Sequence, residues 1–122
     1  MNKKMTDIYT LDFNPTILSH KEEQLGLEYS DNDTATELMK KEEKMIIAEL
    51  TVHITANGGY KNTSELNGKI YSDKKFKDFF ERYKKTLKER NRSKIRYESF
   101  KAFRNDLRTK VVNERELVKK NL

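Results

Sequence analysis

The sequence predicts an all-α fold: an antiparallel helical hairpin of two long helices, preceded by an irregular N-terminal arm. Three observations predict it. Two stretches, near residues 35–57 and 73–117, repeat their apolar residues at helical spacing. Each opens on a capping signal, and Gly58-Gly59 divides them. Pro15 is the single proline, so no proline interrupts either stretch. On this reading residues 1–33 are the arm, and residues 34–122 are a helical domain with a basic C-terminal helix.

In the arm, Ile8-Tyr9-Thr10-Leu11-Asp12-Phe13 alternates, with Tyr9, Leu11 and Phe13 on one face. That pattern signals a short strand at 8–13. Asn14-Pro15 then turns the chain. Ser19-His20-Lys21-Glu22 has the spacing of a capping box, and Gly26 is placed to stop the helical turn that follows. One strand has nothing in the chain to pair with. It either lies along the helices or offers an edge to a partner.

The first long helix begins near Thr34, where Thr34-Ala35-Thr36-Glu37 forms a second capping box. Leu38, Met45, Ile46, Leu50 and Ile54, with Ile47 and Val52 beside them, form a wide apolar stripe. Gly58-Gly59 supplies the left-handed stop. In the connection, residues 58–71, Asn62-Thr63-Ser64-Glu65 caps one or two turns that Asn67-Gly68 ends. Tyr60, Leu66, Ile70 and Tyr71 plug the end of the hairpin. The second long helix starts at Ser72-Asp73. Phe76, Phe79, Phe80, Tyr83 and Leu87 repeat at helical spacing, as do Phe100, Phe103, Leu107, Val111 and Val118. Between them only Ile95 is apolar. Unbroken, some 45 residues would run to roughly 68 Å at ~1.5 Å per residue, so this helix either bends near Asn91-Arg92-Ser93 or projects.

Composition narrows the class. Of 122 residues, 38% are charged and 34% hydrophobic, against about a quarter and just under a half in ordinary domains. One thin core is expected, with the shortage of apolar surface made good by a second copy of the chain or by a partner complex. Cysteine is absent, which excludes disulfide and thiol chemistry. No apolar run approaches the ~20 residues of a membrane span, and Met1-Asn2-Lys3-Lys4 precedes no apolar signal core. A cytoplasmic protein without membrane contact is expected. The net charge of +6 conceals a division. Residues 1–60 hold 6 Lys and Arg against 11 Asp and Glu; residues 61–122 hold 20 against 9. An acidic front and a basic back imply a polyanion or a charge-matched protein as partner.

Signals for catalysis are missing. His20 and His53 are far apart, and a lone histidine makes neither a metal site nor an acid–base pair. There is no phosphate loop, nucleophile elbow, dinucleotide fingerprint or zinc spacing. Glu42-Glu43 and Glu114/Glu116 do not converge on one helix face. No enzyme, metal or cofactor is expected. The strongest constellation is basic: Arg82, Lys84, Lys85, Lys88, Arg90, Arg92, Lys94 and Arg96, with Glu89 the one acid among them. Lys84, Lys88, Arg92 and Arg96 stand at i,i+4, where like charges cost a few tenths of a kcal/mol per pair. A phosphate backbone would relieve that repulsion; the competing reading is a solvated helix face. Lys84, Lys85, Lys88, Arg92, Arg96, Arg104 and Arg108 are the candidate contacts to nucleic acid or to a partner. Tyr97, Phe100 and Phe103 interleave with the basic residues and suit either base stacking or, as their spacing favours, the core.

Met45-Ile46-Ile47-Ala48-Glu49-Leu50, the run Arg92 to Ala102 and Leu107-Arg108-Thr109-Lys110 resemble small helical early proteins of Firmicutes phages and mobile elements. The resemblance spans roughly residues 38–116 and carries over no active site. It implies an accessory of recombination, replication or counter-defence inside a bacterial host cell. Two functions follow as expectations. One is a non-catalytic inhibitor or modulator of a host nucleic-acid-handling complex, such as a CRISPR effector nuclease. There Glu22, Glu23, Glu28, Asp31 and Asp33 would imitate phosphates while the basic helix grips guide RNA or an acidic surface. The other is a DNA-binding accessory of phage recombination or replication. A coiled-coil adaptor would suit the long helices but leaves the charge division unexplained.

Overall fold

The computed structural model describes residues 14–121. The described chain is all-α: α1 spans Pro15–Ala56, α2 Thr63–Ser72 and α3 Lys74–Lys120, and the described residues contain no strand. The strand expected at 8–13 lies outside the described residues. The two long helices of the hairpin are present, and the boundary of the arm is corrected: α1 begins at Pro15, not near Thr34.

The reason is local. Asn14-Pro15 is a helix start rather than a turn. The Asn14 Oδ1 accepts from the Thr16 N–H at 2.9 Å, and proline follows in the first helical position, where its missing N–H costs nothing. Gly26 does not stop the helix and Thr34 does not start one. The Thr34 hydroxyl donates back to the Ser30 carbonyl (3.0 Å), and Thr36 does the same to Asn32, as hydroxyls inside a helix do. At the other end the Gly58-Gly59 stop holds. Both glycines have positive φ, and the Gly59 N–H closes on the Ile54 carbonyl at 3.0 Å, a bond of the Schellman type.

Asn62 caps α2, accepting from the Glu65 N–H at 2.8 Å, while Glu65 accepts in return from the Lys61 N–H. Gly68 does not end this helix, which continues to Ser72. Asp73 alone joins α2 to α3. Its N–H donates to Ile70, its side chain accepts from the Lys75 N–H at 2.8 Å, and its carbonyl accepts from Lys77. The second long helix is uninterrupted through Asn91-Arg92-Ser93. Weak propensity there is offset because Ser93 is buried and hydrogen-bonded, donating to the Arg90 carbonyl (2.9 Å) and accepting from the Asn32 amide (3.1 Å).

The chain divides into two compact units. One comprises Tyr29–Ser93; the other comprises, among the described residues, 14–28 and 94–121. In the Tyr29–Ser93 unit, α1 and α3 run antiparallel, with α2 between them in sequence. Its core is Ile46, Leu50, Ile70, Phe76 and Phe79, with Met39, Ile47, Ile54, Leu66 and Tyr83 packed against it. Phe79 is fully buried. A polar layer of Thr36, Ser93 and Asn32 lies beyond that core. Leu38, Met45 and Val52, expected to join the apolar stripe, are 60%, 64% and 71% exposed. They recur every seven residues, about 100° around the helix from the buried Ile46, so one wide stripe is in fact a buried face and a separate exposed one.

The other unit is described over 14–28 and 94–121. Leu18 is its buried residue, and Leu25, Tyr97, Phe100, Phe103 and Leu107 are half-buried. The Phe100 and Phe103 rings lie 6.0 Å apart. A Cβ on Gly26 would meet the Tyr97 ring at 3.3 Å, so the glycine is what lets this ring lie against α1. Val111 and Val118, expected on the packed stripe, are exposed.

Candidate nucleic-acid interface

The basic residues of α3 fall into two sets by the face they occupy. The inward edge of the helix carries mainly arginine. In the Tyr29–Ser93 unit, Arg82 pairs with Glu42 at 2.8 Å, the Arg90 Nε stands 3.3 Å from Asp33, and Lys75 pairs with Glu49. The Arg90 Nε is buried and its approach to Asp33 is too poorly aligned to be a hydrogen bond, so this contact is charge pairing alone. In the other unit, Arg96 pairs with Glu28 at 2.9 Å and Arg104 with Glu22 at 3.4 Å. In each unit acids earlier on α1 meet bases later on α3, as antiparallel helices require. The planar guanidinium suits such seams because several of its donors can be satisfied while its stem packs.

The outward face carries mainly lysine. Phe76, Phe79, Tyr83, Leu87 and Arg90 mark the inward side; at 100° per residue Lys74, Lys77, Lys84, Lys85, Lys88 and Arg92 project to the opposite side. All six are exposed, and all belong to the Tyr29–Ser93 unit. Their span, Lys74 to Arg92, is about 27 Å at ~1.5 Å per residue. Three exposed acids, Asp78, Glu81 and Glu89, fall on the same side by the same 100° step. Lys84 pairs with Glu81 at 2.8 Å and Arg92 with Glu89 at 3.1 Å, both at i,i+3 and exposed, where such pairs contribute little. Among the described residues, Lys85 and Lys88 have no ion-pair partner, and in the other unit neither has Arg108.

Of the seven basic residues singled out in sequence, Lys84, Lys85, Lys88 and Arg92 therefore share one solvated face. Arg108 is solvated in the other unit. Arg96 and Arg104 are engaged across the helices, and the Arg104 side chain is only 11% exposed. The i,i+4 run Lys84, Lys88, Arg92, Arg96 hid this division, because its slow drift carries Arg96 round to the seam. Of the five acids expected to imitate phosphates, Glu22, Glu28 and Asp33 are used by those seams, whereas Glu23 and Asp31 are exposed and, among the described residues, paired with no base.

The exposed rings are not the ones the sequence pattern put among the basic residues. Tyr97, Phe100 and Phe103 are half-buried, whereas Tyr71 and Phe80 are 53% and 46% exposed. Lys77 and Lys84 are one turn either side of Phe80, and the Lys84 Nζ lies 5.3 Å from its ring centroid. Lys77 lines the same open groove as both rings. The sequence signal was available: Phe80 follows the buried Phe79 directly, and adjacent helical residues cannot share one face.

Among the described residues, no three histidine, aspartate or glutamate side chains gather as a metal site would require, and no helix is long and apolar enough to cross a membrane. Comparison with known protein families, with characterised proteins and with solved structures finds no match to this chain.

Proposed function

We propose that this chain is a non-catalytic accessory protein that binds nucleic acid through the outward face of α3, and so modulates the host complex that handles that nucleic acid. The observation that carries this reading is the sorting of charge on α3. The cations that hold the helices together have their acids, while Lys85 and Lys88 have none and lie among four more exposed cations on one face. Six cations against Asp78, Glu81 and Glu89 leave this face with a positive excess, which a phosphate backbone neutralises while releasing counterions. Direct contact with nucleic acid is favoured over phosphate imitation, because Glu22, Glu28 and Asp33 are occupied at the seams and only Glu23 and Asp31 of the five acids stay open.

The test is to change Lys85, Lys88 and Arg92 together to Gln. The fold should survive, since all three side chains are exposed, none bridges the helices, and glutamine is a good helix former. Affinity for nucleic acid should fall, and the salt dependence of binding should become shallower by roughly 0.7–0.9 for each phosphate no longer neutralised. A variant that binds as tightly as the parent, or one that is more stable and fully active, would leave the face as a solvated surface and end the proposal.

A further inference from the structure

The rings beside the basic face specify which nucleic acid it would take. Tyr71 at the end of α2 meets Phe76 edge-on, with centroids 5.0 Å apart, and Phe76 lies nearly parallel to Phe80 at 6.4 Å and 14°. Phe76 is buried, but its two neighbours are about half exposed. Together they line an open groove with Glu43, Lys77 and Glu81. Two half-exposed rings side by side offer a flat apolar surface among charged side chains.

The charges around the patch decide its chemistry. Lys77, Lys84 and Lys88 run beside Phe80 on the same helix, continuous with the face proposed above to meet phosphates. Lysine is depleted from the cores of protein–protein interfaces, so an apolar protein segment fits these surroundings poorly. Glu81 and Lys84 pair at 2.8 Å and together add no net charge, so the ammonium groups left for phosphates beside the rings are Lys77 and Lys88. Glu43, across the groove, restricts the phosphates to the lysine side. Rings flanked by ammonium groups match a nucleotide, whose base presents a flat π-face and whose phosphate carries the charge. In a duplex those π-faces are buried in the stack, so only an unpaired base can use the rings.

Resting on the nucleic-acid reading above, we propose that Phe80 and Tyr71 form a stacking platform for unpaired bases, with Lys77 and Lys88 holding the adjoining phosphates, so that the ligand is single-stranded nucleic acid. The Lys84 ammonium, which lies over Phe80 in the free protein, gives way to the base on the ring and stays with Glu81, its partner at 2.8 Å.

The experiment measures binding of a labelled oligothymidylate, of an abasic strand with the same number of phosphates, and of a duplex of the same length. The parent should prefer the base-bearing strand to the abasic one by at least roughly five- to 150-fold, the range that stacking of a single base supplies. Phe80→Leu, at a half-exposed position, should lose most of that preference and leave abasic binding unchanged. Phe80→Tyr, which restores a π-face, should keep it. A parent that binds both strands equally, or a Phe80→Leu change that weakens both alike, overturns the platform while leaving the phosphate-binding face standing. No salt-dependent binding to strand or duplex overturns both.

Discussion

Gly26 and Gly68 both lie inside helices, yet their neighbours differ. Nothing stands within 4 Å of a Cβ on Gly68, whereas one on Gly26 would meet the Tyr97 ring at 3.3 Å. Glycine inside a helix costs about 0.5–1 kcal/mol relative to alanine through the freedom it loses. Gly68→Ala should therefore raise stability by roughly that amount in urea unfolding. Gly26→Leu should lower it by about 1–3 kcal/mol, because a side chain there must displace the ring. Equal effects from the two changes would mean that Tyr97 does not hold its place against α1. Spacing alone makes both glycines helix stops. It misses that a glycine can be selected for what approaches it rather than for the φ it permits.

The ends of the helices depend on a few side chains. Asp73 closes α2 with its N–H and opens α3 with its carboxylate, so one residue terminates one helix and starts the next. Asp73→Ala should cost about 1 kcal/mol, within the ~0.5–2 kcal/mol seen for caps, and a thermal melt should show it. Asp73→Asn should recover most of the loss, since the amide oxygen can still accept from the Lys75 N–H. A melt unchanged by Asp73→Ala would show that water serves this N-terminus as well as the carboxylate does. The all-α class, the Gly58-Gly59 stop and the Asn62 cap were legible because each is a local rule about φ or an unpaired N–H. The start of α1 was legible in principle, since asparagine before proline marks a helix beginning as readily as a turn. What no local pattern contains is that the helix then runs on through Gly26, with Leu18 buried and the Tyr97 ring against that glycine. For the same reason the candidate face was half legible. The lysines of α3 stood out, but which arginines belong to the seam depends on where the acids of α1 fall opposite them.

For the whole molecule, the division between an acidic front and a basic back resolves into a pairing and an excess. The α1 acids take the inward arginines of each unit, and what remains is an unbalanced lysine face. If all six cations from Lys74 to Arg92 contact phosphates of a single strand, a plot of log affinity against log salt should fall with a slope near about −4. A slope shallower than about −2 would leave most of the face unused. The polar layer of Asn32, Thr36 and Ser93 has a consequence of another kind. Two helices rich in lysine and glutamate can be laid side by side in many alignments of similar energy, since long charged side chains find partners after a shift of one turn. The Asn32 amide cannot do so. A shift would take it from the buried Ser93 hydroxyl, and the hydrogen bond lost there is worth about 0.5–1.5 kcal/mol. Alignment is thus checked at one level instead of along the whole seam, so the charged surface can drift in sequence, and take on new ligands, without the helices losing their place.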